Sequence, residues 1–264
     1  MSDFDRNTGP AVWGQQPLTR AEAAVVDEGL RAYMLRIYNY MVLGLAITGA
    51  AALGVYMLSV TTDPALAVAK VRSIMLTNVG YYLFVSPLKW AVILAPLGLV
   101  FFLSFRIQNM RPATAQLTFW IYAALVGVSL GSIFMIYTHT SITRVFFITA
   151  ASFGALSLWG YTTQRDLSGW GSFLIMGVFG IIIASLVNIF LQSSMMQWII
   201  SVVGVLVFAG LTAYDTQRLK DEYVESAMVG DVLERSAIMG ALTLYLDFLN
   251  LFTMLLSLLG NREE

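Results

Sequence analysis

Residues 236–259 read SAIMGALTLYLDFLNLFTMLLSLL, and across these 24 residues the only formal charge is Asp247. A helix needs about 20 predominantly apolar residues to cross the hydrocarbon core of a bilayer. A carboxylate in the middle of such a span costs about 2.5–3.5 kcal/mol on insertion scales, so it has to face protein or water rather than lipid. At helical spacing Asp247 shares a face with Thr243, Asn250, Met254 and Ser257. That polar stripe requires a bundle interior or a water-filled cavity beside it.

Six more hydrophobic segments precede this one, at about residues 38–60, 88–105, 117–138, 145–161, 172–191 and 198–217. Of the 264 residues, 58% are apolar and 12% charged, against roughly 45–50% and 25% in soluble domains. The expected fold is therefore an all-α integral membrane protein with seven transmembrane helices over 38–259. Residues 1–18, with Pro10 and Pro17, read as a disordered cytoplasmic tail, with no signal-peptide pattern. Thr19-Arg20-Ala21-Glu22 has the spacing of a capping box, and residues 19–37 read as an interfacial amphipathic helix. Residues 260–264 form a short C-terminal tail. Segment 61–87, with Lys70, Arg72 and the Tyr81-Tyr82-Leu83-Phe84 run, is expected to include a surface-lying helix. Pro96 predicts a kink in the second span, tolerated if a neighbour satisfies the freed carbonyl.

Seven spans put ten Lys and Arg on the N-terminal side (Arg6, Arg20, Arg31, Arg36, Arg106, Arg111, Arg165, Arg218, Lys220, Arg235) and five on the other (Lys70, Arg72, Lys89, Arg144, Arg262). The positive-inside rule then places the N-terminus in the cytoplasm and the C-terminus outside. Gly127 and Gly131 form a GxxxG on the third span, and Gly177, Gly180 and Ala184 line the fifth, spacings that let backbones approach.

The net charge of −1 gives no basic footprint for nucleic acid, and the absence of cysteine removes thiol chemistry and thiolate metal sites. His139 is the only histidine. Gly127-Val128-Ser129-Leu130-Gly131 fits GxSxG, but His139 lies about 15 Å along the axis from Ser129, too far for a serine–histidine pair. Tyr214-Asp215 matches one motif of diaspartyl intramembrane proteases. The second, Gly-x-Gly-Asp, is replaced by Leu244-Tyr245-Leu246-Asp247. No enzyme is expected.

Of the 16 Asp and Glu residues, all but Asp215 and Asp247 fall in tails or loops. Arg218, three residues beyond Asp215, allows a local ion pair at the interface. The alternative is that the sixth and seventh spans pack as neighbours and bring the two acids together. Two carboxylates sharing a low-dielectric site do not both ionise readily. The pair would be a proton-sensitive element, or half of a hard-cation site.

Leu211-Thr212-Ala213-Tyr214-Asp215-Thr216-Gln217, followed by Leu244-Tyr245-Leu246-Asp247-Phe248-Leu249-Asn250-Leu251-Phe252, resembles the Bax-inhibitor family of membrane proteins, and its bacterial members in particular. Ser86-Pro87-Leu88-Lys89-Trp90, the 127–134 stretch and Gly160-Tyr161 through Asp166-Leu167-Ser168 add to the likeness. The resemblance implies six spans, as three hairpins, around a central C-terminal seventh helix. It implies a pH-dependent calcium leak sensed by an aspartate pair at Asp215 and Asp247, and an arginine after the second span, Arg106 or Arg111, that helps hold the pore closed. It also implies, for some bacterial relatives, modulation of a membrane-bound AAA protease, and for eukaryotic ones suppression of cell death.

Two functions follow as expectations. One is a pH-sensitive calcium or cation leak channel of the inner membrane, lined by Thr243, Asn250 and Ser257, with Ser129, Ser185 and Asn188 as further candidates. The other is a non-conducting regulator that binds another membrane protein through its N-terminal tail or the acidic segment from Asp221 to Glu234. No cofactor is expected beyond transient calcium at Asp215 and Asp247. The expected partners are the lipid bilayer, calcium ions and a second membrane protein.

Overall fold

The computed structural model describes residues 20–71, 74–226 and 230–262. Seven long helices carry the chain: α1 Arg20–Ser59, α2 Leu88–Arg106, α3 Pro112–Leu130, α4 His139–Thr162, α5 Ser168–Leu191, α6 Ser194–Ser226 and α7 Gly230–Leu259. All seven are long and apolar enough to cross a membrane, so the chain is a seven-helix membrane protein. The tail 1–18 and the capping threonine lie outside the described residues, as does Arg72.

Helix α7 sits at the centre. It packs against α1, α3, α4 and α6, while α2 and α5 lie mainly on α3 and α6. Its aromatic side chains interlock with those of its neighbours. Tyr245 meets Phe119 and Tyr122 edge-on at centroid distances of 5.7 and 5.8 Å, and Phe248 meets Phe153 and Phe146 at 5.5 and 5.6 Å. Such edge-to-face pairs contribute about 0.5–1.5 kcal/mol beyond their area.

One expectation for the segments before the second span is corrected, and a second gains a sheet beside its helix. Residues 19–37 were expected to lie on the membrane surface, but α1 runs unbroken from Arg20 to Ser59 and its Leu30, Tyr33, Met34 and Ile37 are buried in the bundle. Tyr33 stacks on Tyr223 at 5.1 Å and its hydroxyl lies 3.1 Å from Ser236 Oγ, so this turn belongs to the packed end of α6 and α7. Segment 61–87 opens as a three-stranded antiparallel sheet, with strands Val60–Thr61, Ile74–Leu76 and Ala69–Val71 side by side, before the short helical stretch 78–85. The β-branched Val60, Thr61, Val71 and Ile74 suit a pleated ladder better than a helix. Asp63 Oδ1 accepts from Ala65 N at 2.8 Å and starts the turn. The sheet also finishes α1: Thr77 N donates to Ser59 O and Thr77 Oγ1 to Leu58 O, at 3.0 and 2.7 Å.

The proline and the glycines act where their neighbours meet them. Pro96 is buried inside α2, and the carbonyl it frees, Val92 O, accepts a hydrogen bond from Ser129 Oγ at 2.5 Å. The serine of the GxSxG string therefore ties α3 to α2. Gly127 lets α3 press onto α1, where a Cβ would come within 2.4 Å of Thr48 O. On α5, Gly177 accommodates Val207 of α6, whereas a Cβ at Gly180 would meet nothing within 4 Å.

Candidate functional site

The hairpin of α6 and α7 closes tightly because Gly240 leaves room for Leu219, whose Cδ2 would lie 2.9 Å from a Cβ there. One turn further into the membrane along α6 stands Asp215, and two turns along α7 stands Asp247. Both are buried, at 6% and 5% exposure. The packing of α6 on α7 makes the two carboxyl groups neighbours that feel each other's charge. Asp247 Oδ2 has no hydrogen-bond partner in the protein. A buried oxygen left in this way costs about 1–3 kcal/mol, more if charged, so the site favours whatever brings it a proton or a cation.

The local pair with Arg218 also forms, with Nη1 3.6 Å from Asp215 Oδ1, and the arginine side chain is 60% exposed. This basic residue stands beside Asp215 in the structure, apart from Arg106 and Arg111. Arg106 and Arg111 flank a turn, Ile107–Asn109, whose Ile107 is buried. Anchoring that isoleucine leaves both arginines exposed, and neither makes an ion pair among the described residues.

The residues around Asp215 hold neighbouring elements in place. Tyr214 packs on Gly171 of α5, where a Cβ would come within 2.5 Å of the ring. Thr216 Oγ1 lies 2.9 Å from Ser157 Oγ on α4, which lies 2.6 Å from the Tyr38 hydroxyl on α1. Gln217 Oε1 accepts from Leu167 N and its Nε2 donates to Arg165 O, each at 2.8 Å, fixing the loop into α5. Across α7, the Tyr245 hydroxyl meets Thr48 Oγ1 at 2.6 Å. Sequence reasoning did not single out Gln217, Ser157, Tyr38 or Thr48 as site residues. The signal available for Gln217 was a polar side chain two residues beyond an intramembrane acid.

The candidate lining residues separate into two groups. Thr243 Oγ1 donates to Met239 O and Asn250 Nδ2 to Leu246 O, both within α7, at 3.2 and 2.8 Å. Ser257 belongs to a polar pocket of about 400 Å³ at the opposite end of the bundle, together with Asn188, Gln197 and Arg262. There it accepts from Ser201 Oγ at 3.0 Å. Ser185 does not line that pocket, and Ser129 serves α2. Between Asn250 and Ser257, Met254 seats on Gly204 of α6, where a Cβ would come within 2.8 Å of its sulfur.

The single histidine sits beside the Tyr56 and Phe134 rings at 5.4 and 5.6 Å. No group of three or more His, Cys, Asp or Glu side chains assembles among the described residues. Calcium takes 6–8 oxygen ligands, so two carboxylates can meet a passing cation but supply only part of a holding site.

The family model described as Inhibitor of apoptosis-promoting Bax1 matches residues 30–264. A Caulobacter vibrioides protein is 45% identical over the full length of both chains. A Rickettsia prowazekii protein is 44% identical over 93% of this chain and 96% of its own. The Escherichia coli inner membrane protein YbhL is 43% identical over 89% of this chain and 94% of its own. The chain with its buried Asp215–Asp247 pair thus belongs to the Bax-inhibitor family of membrane proteins.

Proposed function

We propose that the protein is a proton-sensitive leak pathway for calcium or a similar cation, gated by Asp215 and Asp247. It would act in an inner membrane, as the Escherichia coli relative's name suggests, with the N-terminus cytoplasmic in accord with the ten-to-five basic asymmetry. The observation that carries this reading is the pair of buried carboxyl groups on neighbouring helices, one oxygen of which has no partner among the described residues. Unit charges 4 Å apart at an effective dielectric of 20 repel by about 4 kcal/mol. That suffices to bias a bundle whose two states differ by a few kcal/mol. A shared proton, Arg218 or a calcium ion would each relieve the repulsion, so the three compete and calcium affinity falls as pH drops.

The test is calcium flux into liposomes holding the purified protein, at pH 6 and pH 8. Asp215→Asn and Asp247→Asn should each remove most of the pH dependence. Retention of the wild-type midpoint and slope by both variants would remove the pair as the sensor.

A second reading, a non-conducting regulator of another membrane protein, is favoured by Met254 on Gly204 and by the turn of Thr243 and Asn250 onto their own helix. These interrupt the polar stripe of α7. Absence of flux at either pH, with the protein folded, would select this reading.

A further inference from the structure

Helices α1 and α4 scarcely touch. Between them lies a cleft of about 940 Å³. Its floor is formed by buried Met34, Met41, Phe153 and Phe248, and its rims by exposed Leu35, Val42 and Leu158. Gly49 on one wall and Gly154 on the other face open space, since a Cβ on either would meet no atom within 4 Å. The cleft therefore opens sideways from a membrane-spanning bundle, toward hydrocarbon.

Its polar features gather at one end. Arg31 lines it there, and the Tyr38–Ser157 hydroxyl pair lies below. Lys220 Nζ reaches the same end, donating to the carbonyl of Tyr161, a lining residue, at 3.1 Å. The acidic residues of that end, Asp27, Glu28, Asp221 and Glu222, do not line the cleft, and Glu222 accepts from Ser236. From Arg31 to Gly49 the helix rises about 27 Å, close to the roughly 30 Å hydrocarbon core. A basic end at the interface and an apolar trough running on along the span have the form of a phospholipid with its head group at that end.

We infer that this cleft binds one anionic phospholipid from the leaflet on the N-terminal side, with an acyl chain between α1 and α4 and its phosphate at Arg31 and Lys220. This lipid lies against Phe248, the residue after Asp247, and does not depend on whether the protein conducts. Guanidinium and ammonium groups at a lipid interface favour anionic head groups by about 1 kcal/mol each.

The test is native mass spectrometry of the delipidated full chain supplied with phosphatidylglycerol or phosphatidylcholine. One bound phosphatidylglycerol is expected, held about fivefold or more tightly than phosphatidylcholine, and Arg31→Gln should erase that preference. Gly154→Leu should lower retention of phosphatidylglycerol by about fivefold or more, while Gly154→Ala keeps it. Gly49→Leu, from the opposite wall, repeats the test if Gly154→Leu does not fold. Wild-type retention by the leucine variants, or equal retention of the two lipids, overturns the inference. So does a leucine variant that changes the oligomeric mass and leaves lipid binding intact, because the cleft would then be filled by a second copy.

Discussion

Helices α5 and α7 are both long membrane spans, and α5 is the more apolar of the two, yet α7 is far the more buried. Twelve of the 30 residues of α7 are buried, including Asp247 and Tyr245, against four of the 24 in α5. In water the order would be reversed, since burial follows apolar character. In a bilayer the lipid is as apolar as leucine and gives no hydrophobic drive for helices to associate. Close packing and polar contacts then decide which helix lies inside. The interior of this protein is marked by polar groups and by glycines that meet a neighbouring helix, and its rim by apolar side chains left exposed.

The contrast breaks most visibly at glycines. Gly160 presses on α6, where a Cβ would come within 2.3 Å of Ala213 O, whereas Gly180 on the rim meets nothing within 4 Å. Gly160→Leu should cost about 3 kcal/mol or more, because backbone cannot move aside as a side chain can. Gly180→Leu should leave the unfolding temperature in detergent unchanged. Similar melting curves for both would erase the distinction.

Next in size is the tie between interior and rim. Gln217→Leu leaves the buried Leu167 N–H without its partner and should destabilise by about 2 kcal/mol. Faster hydrogen exchange at the start of α5, with α7 unchanged, is the pattern to look for. Ser129→Ala removes the donor to the Val92 carbonyl freed by Pro96 and should cost about 1 kcal/mol, in the range of interhelical hydrogen bonds in membranes. An equilibrium unfolding series in detergent measures it, and a neutral result would mean that lipid-side relaxation satisfies that carbonyl.

Smallest is Asp166, exposed before α5, whose carboxyl is held below its ordinary range by the hydrogen bonds it accepts from Ser168. A carboxyl lowered in the folded state adds stability above its unfolded pKa and loses it as pH falls through the folded one. Asp166→Ala should therefore lower the unfolding temperature slightly near pH 7, with the difference fading as pH falls through the folded-state pKa. An effect that persists in acid would assign the loss to packing.

The seven spans were legible because hydropathy integrates over about 20 residues. The two acids were legible because an intramembrane carboxylate is costly wherever it stands. Boundaries were less so. The first span was placed from residue 38, whereas the span-forming stretch begins at Asp27, since Arg31 and Arg36 dilute the apolar pattern while the inner face stays buried. Strands of two or three residues carry too little alternation to stand out in a half-apolar run, so the sheet before α2 went unread while the helical stretch at 78–85 was expected. Arg218 was legible as a partner of Asp215 from its spacing of three residues, whereas the place of Arg106 and Arg111 depended on the geometry of one turn. Thr48, Ser157 and Gln217 were hidden because a single hydroxyl or amide in a span is inexpensive, and only the fold shows what each one meets.

The central place of α7 sets an order for making the molecule. Ribosomes deliver the chain N-terminus first, so the helix around which α1, α3, α4 and α6 are arranged is the last to emerge. Until then Asp215 lacks its counterpart and Thr48 lacks the Tyr245 hydroxyl. Six inserted helices must wait in the bilayer with an unfilled centre. Chains cut short before residue 230 would keep six of the seven spans and lose the helix around which they pack.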